Sequence, residues 1–150
     1  MSNETAGPRP RLVGINHVAL EVRDLDEALR FWASIFPISV EREHGMAFID
    51  LGDQFLALSE GRSAAADESR HFGLVVDDKQ AVRKRLDELG VEVSPGRRLN
   101  FRDPSGNLIQ VVEYGQIQFT KGDPILRGMG LADLPKTPEA KAELAAKGLV

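Results

Sequence analysis

Apolar and polar positions along this 150-residue chain run twice through the same change of period. VGINHVALEV, from Val13, alternates with a period of two and is rich in β-branched residues, which predicts a strand. The spacing then becomes helical. Leu25, Ala28, Leu29, Trp32, Ile35 and Phe36 fall on one stripe, and Asp24 stands as N-cap with Glu27 three residues later, which predicts a helix over about 25–36. Three short strands are expected up to Glu60. The order then repeats. HFGLVV from His71 alternates, and Val82, Leu86 and Leu89 keep a helical stripe that ends at Gly90. Short strands are expected around Val91, Arg97 to Phe101 and Asn107 to Tyr114, the last after the turn sequence DPSGN.

The repetition extends to individual residues. HVALEVRDLDEALRFWASIF from His17 lines up with HFGLVVDDKQAVRKRLDELG from His71, matching His17 with His71, Leu20 with Leu74 and Asp24 with Asp78. DLGDQFLALSE from Asp50 lines up with DPSGNLIQVVE from Asp103 and pairs Ala57 with Gln110. This predicts two βαβββ modules, about 13–60 and 70–114, joined by GRSAAADES. Residues 1–12 are expected to be flexible. Residues 115–150 form a tail of different character, in which Thr137 as cap, Pro138 in the first turn and Gly148 as stop predict a helix over about 138–147. DPILRGMGL before it is apolar but has no regular period.

Composition narrows the chemistry. Nineteen Lys and Arg against 23 Asp and Glu give a net charge of -4, so bulk electrostatics favours neither nucleic acid nor an anionic membrane. The chain lacks an apolar signal segment or a run of membrane-spanning length, and a cytoplasmic location is expected. The absence of cysteine excludes disulfides and thiolate chemistry, so a metal would rest on His, carboxylate or amide donors. The histidines are His17, His44 and His71. His44 lies in the turn-like EREHGM and reads as a solvated loop residue.

The duplicated unit, the opening NHVALEVRDLDEALRFW, the second HFGLVVDD and the DPSGNLIQVVE ending resemble the vicinal-oxygen-chelate superfamily of glyoxalases, bleomycin-resistance proteins and extradiol dioxygenases. The resemblance implies an α+β fold in which two tandem βαβββ modules form a cup-shaped mixed sheet. It also implies a divalent metal (Mn, Fe, Ni, Co or Zn) on four strand positions, which are His17, Ala57, His71 and Gln110 here. Ala57 has no donor atom, which leaves His17, His71 and Gln110. The implied activity is metal-assisted lyase, isomerase or dioxygenase chemistry on a small oxygen-rich substrate, and the other reading is a metal-free binding protein of the bleomycin-resistance type. The short SPGRR connection argues against the fosfomycin-type thiol transferases of the family, because it leaves little room for their phosphonate-binding loop.

Strand parity points to the same pocket. His17, Ala19 and Glu21 share the face opposite Val18, Leu20 and Val22, and His71, Gly73 and Val75 likewise oppose Phe72, Leu74 and Val76. Gln110 falls on the cup side of the last strand, and Arg98, Asn100 and Arg102 on that of the strand before. Ile49, with Ala47, is expected on the cup side of the first module, where it would join Phe55 as an apolar wall. Two arginines without a facing carboxylate suit an anionic substrate. Because such modules can close a cup between two chains, a homodimer is expected.

Overall fold

A computed structural model describes residues 8–150, so the first seven residues of the expected flexible N-terminus lie outside the described residues. The first module runs β1 (His17–Val22), α1 (Leu25–Ile35), β2 (Val40–Glu43), β3 (Met46–Asp50) and β4 (Phe55–Glu60). The second runs β5 (His71–Val76), α2 (Lys79–Glu88), β6 (Leu99–Arg102) and β7 (Leu108–Glu113). Each helix begins where its cap predicts: Asp24 accepts from the Glu27 amide and Asp78 from the Ala81 amide.

Two mixed sheets result, ordered β1-β4-β3-β2 and β5-β7-β6, with the first strand of each module parallel to its last. This is the expected α+β architecture of two similar modules. The predicted strand around Val91 shrinks to a single bridge between Val93 and Phe101. Pro95, which has no amide proton to donate, and Gly96 at φ +109° turn the chain away at once.

One core serves both modules. Leu20, Val22, Trp32, Ile49 and Leu58 from the first pack with Leu74, Val76, Leu86, Phe101, Ile109 and Val111 from the second. The helix-side faces of the two sheets therefore back onto a shared interior, while His17, Ala19, Glu21, His71 and Gly73 on the opposite faces are exposed. Ile49 corrects the parity reading of the third strand. It is 2% exposed and pairs with Leu56, and Ala47 pairs with Leu58, so both lie on the helix side. The residues of β3 equivalent to Asn100 and Arg102 are Phe48 and Asp50, because Leu58 and Val111 occupy matching register positions.

The modules meet through turns as well as through the core. Asn107 Nδ2 donates to the Glu21 carbonyl at 2.9 Å, and the Arg23 amide donates to Ser105 Oγ at 2.9 Å. The tail continues from a 3-10 turn at Tyr114–Gln116 into α3 (Asp123–Gly128) and α4 (Pro138–Ala146). Thr137 caps α4 as its sequence predicts. The short α3 was hidden by the Pro and Gly residues that interrupt any apolar period in DPILRGMGL. Lys136 fastens the tail: its ammonium donates to the Tyr114, Ile117 and Phe119 carbonyls and lies 3.7 Å from the Tyr114 ring centroid. Burial lowers its pKa below the usual lysine range. Among the described residues, no helix is long and apolar enough to cross a membrane.

Candidate functional site

β1 and β5 are the edge strands of their sheets, and the groove between them carries both histidines. Along one half of it lies a cavity of about 460 Å³ lined by His17, Phe55, His71, Gly73, Val75 and Lys121, with Leu126, Met129 and Leu131 of the tail as its wall. The other half is a cavity of about 410 Å³ lined by Glu21, Arg62, Asp67, Arg70, His71 and Asn107. His71 borders both.

Each imidazole is held in one orientation. His17 stacks on Phe55 with ring centroids 4.7 Å apart and 8° between planes, and its Nδ1 lies 2.9 Å from Asn16 Oδ1. His71 Nδ1 lies 2.7 Å from the Ser69 carbonyl. An amide or backbone oxygen can only accept, so Nδ1 carries a proton in both rings, and in the neutral imidazole Nε2 is then the nitrogen with the lone pair. Metal-ligating histidines commonly show this pattern, in which an acceptor on one ring nitrogen makes the other a ligand. Neither Asn16 nor Ser69 announced this role in the sequence, beyond the adjacency of an amide to His17.

The second sheet gathers several of the expected residues. Arg102, Leu108 and His71 lie in one cross-strand row, and Asn100, Gln110 and Gly73 in the next. His71 and Gln110 are therefore diagonal neighbours on one face, at ~7 Å, and Gly73 leaves the space between them open. Asn100 Oδ1, beside Gln110 in this register, is buried without a hydrogen-bond partner. Arg102 Nε donates to the Asp67 carbonyl at 2.9 Å, and Arg98 is exposed just before β6. Neither arginine lines the larger cavity. Glu113 accepts from the Lys79 amide at the start of α2, and His44 is exposed in the β2–β3 turn.

Within one chain His17 and His71 line the same cavity, but they sit at different levels along it. The hydrogen bond from Asn107 to Glu21 sets the start of β7, and with it His71, beside the end of β1. His17 is four residues back along the strand, or ~13 Å. Side chains at that offset do not converge on one ion with metal–nitrogen bonds of about 2 Å. Among the described residues, no three His, Asp or Glu side chains are grouped to hold a metal.

The model of the Glyoxalase/Bleomycin resistance protein/Dioxygenase superfamily matches residues 14–111. The chain belongs to this superfamily. Its superfamily match ends before the tail that walls the larger cavity. Among curated relatives, the metallothiol transferase FosB of Shouchella clausii is 29% identical over 116 residues, 65% of this chain and 78% of the relative. The glutathione transferase FosA of Serratia marcescens is 26% identical over 113 residues, 67% of this chain and 80% of the relative. The fosfomycin resistance protein FosX of Mesorhizobium loti has the same fold, with a TM-score of 0.58 and 22% identity over 67% of this chain and 92% of its own. So has a mutant of the Listeria monocytogenes FosX complexed with Mn(II) and 1S,2S-dihydroxypropylphosphonic acid, with a TM-score of 0.59 and 23% identity over 67% of this chain and 90% of its own. The similarity thus runs to the branch that the short SPGRR connection argued against.

Proposed function

We propose that this superfamily member is a metal-assisted enzyme acting on a small, oxygen-rich, anionic substrate, and that it works as a homodimer whose site is shared between copies. One observation carries the reading: His17 and His71 both have an acceptor on Nδ1, which leaves Nε2 as the ligating nitrogen of the neutral ring, and both lie on faces that the chain's own core leaves exposed. His17 of one copy, with His71 and Gln110 of the other, would hold the ion. The ~13 Å offset within a chain supports a site built across two copies. Bound there, a divalent ion supplies a Lewis acid for neighbouring substrate oxygens.

The chain's own residues do the rest. Phe55 keeps His17 fixed and offers an apolar wall. Arg102, on the sheet that carries His71 and Gln110, and Arg98, just before its strand β6, suit the charged end of the substrate through a guanidinium fork. That a relative's structure holds Mn(II) with a dihydroxy phosphonate supports this class of ligand. Gln110 makes the donor set neutral, which favours imidazole-seeking ions such as Zn, Ni and Co over Mg or Ca.

The test is metal content. Purified protein reconstituted with Mn, Fe, Co, Ni or Zn should take up about one ion per chain, and His17→Ala or His71→Ala should abolish uptake. A small anion bound equally well in the presence of a chelator, with no ion taken up, would favour the metal-free binding protein. Turnover can then be screened with fosfomycin and vicinal dioxygen carboxylates, with and without thiols.

A further inference from the structure

The linker between the modules, Gly61 to Arg70, is polar, small-residue chain that the sequence marks only as a connection. It is nevertheless built around a buried charge. Arg62 exposes 3% of its side chain. Its guanidinium donates to the Ala64 carbonyl at 3.4 Å, the Ala65 carbonyl at 2.6 Å, Asn107 Oδ1 at 2.5 Å and Asp67 Oδ1 at 3.3 Å. Every bond folds the linker back over Arg62 or ties it to the turn before β7.

Asp67 extends the chain of contacts towards the site. Its amide donates to the Gly106 carbonyl, its own carbonyl accepts from Arg102, and its carboxylate also accepts from Arg70 at 3.0 Å. Ser69, whose carbonyl takes the Nδ1 proton of His71, sits between Asp67 and the residue that it orients. His71 lines the cavity that Arg62, Asp67 and Arg70 also line.

We propose that Arg62 is a positioning residue for His71: by bracing the linker it holds the Ser69 carbonyl on Nδ1, so that the Nε2 lone pair of His71 is presented for coordination. The effect on metal affinity rests on the functional reading above, whereas the effect on the imidazole does not. A cation with several planar donors is required because one group must reach four acceptors on different sides, which a lysine ammonium with three rotating donors does not reproduce.

The experiment uses the full chain labelled with 15N at histidine, without metal. Long-range proton–nitrogen spectra should show His17 and His71 of the wild type both protonated at Nδ1. In Arg62→Met and Arg62→Lys, the His71 signals should move towards a mixture with the Nε2-protonated form common in free imidazole, while His17, held by Asn16, stays unchanged. Zn affinity should fall by about 10–100-fold, the range for loss of a group that orients a ligand. Should Arg62→Met unfold, Arg62→Lys and Asp67→Asn test the same brace more gently, with circular dichroism confirming the fold. A folded variant whose His71 remains purely Nδ1-protonated, with Zn affinity unchanged, overturns the proposal. A wild type that binds no Zn, with a His71 tautomer that still depends on Arg62, leaves the positioning role standing and removes the metal reading instead.

Discussion

Ala66 of the linker lies so close to Gly106 of the β6–β7 turn that a Cβ added to the glycine would stand 2.7 Å from the Ala66 Cα and 2.9 Å from its Cβ. Gly106 also has φ +92° and donates its amide to Asp103, so the contact and the turn need the same absent side chain. Gly106→Ala should therefore destabilise by about 2 kcal/mol or more, combining positive-φ strain with an overpacked backbone contact. Gly45→Ala is the control, because Gly45 has φ +76° but nothing within 4 Å of its added Cβ. Chemical denaturation should show the larger loss at Gly106; equal losses would mean that the linker yields freely.

Trp32 is 1% exposed in the shared core, edge-on to Phe31 and stacked near Phe36, and its indole N–H is buried without a partner. Trp32→Ala should cost about 3–5 kcal/mol, as for other large aromatic truncations. Trp32→Phe should cost clearly less, because removing an unpaired buried donor relieves a penalty of about 1–3 kcal/mol while most of the ring packing is kept. Urea midpoints of the two variants check this order.

A site shared between copies has a signature that one closed within a chain does not. His17→Ala and His71→Ala should each bind no metal as pure dimers. After mixing under exchange conditions, each mixed dimer regains one site, because one copy supplies an intact His17 and the other an intact His71. Metal uptake by the mixture, measured against the separate variants, checks it. No recovery despite subunit exchange would place the histidines of each site on one chain.

The linker should also respond to acid. Burial alone would raise the Asp67 carboxyl, but hydrogen bonds from Arg70 and Arg62 outweigh it and hold the pKa below the ordinary 3.8. Asp53, bonded to Lys121, is lowered as well, chiefly by that bond. A carboxyl lowered in the folded state stabilises fully above its unfolded pKa and loses that contribution as pH falls through its folded value. Stability should therefore drop as pH falls below about 4, and Asp67→Asn should flatten that drop relative to its effect near about pH 7. Denaturation midpoints across that range decide it; an unchanged profile in Asp67→Asn would show that the ion pairs are offset by their desolvation.

Much of the fold was legible because it rests on local rules. Period-two and helical spacing, together with the caps Asp24, Asp78 and Thr137, placed the strands and long helices to within a few residues. The duplication set His17 equivalent to His71 and Ala57 to Gln110, and the strand register confirms both pairings. Ile49 went to the wrong face because a five-residue strand between short turns admits either parity, and only its pairing with Leu56 fixes which side meets the helix.

The tertiary structure decided what no window of sequence contains. That the two sheets share a core on their helix sides, leaving the histidine faces outward, depends on contacts between residues far apart in the chain, such as Phe31 with Phe101 at 6.0 Å between ring centroids. Arg62 lies in a segment that the sequence marks only as a connection between the modules. It becomes a buried brace only because Asn107, in the turn before β7, arrives to accept a hydrogen bond from it. The sequence determined which residues alternate and which repeat; long-range packing alone could decide which of them are buried, and which are left facing a ligand.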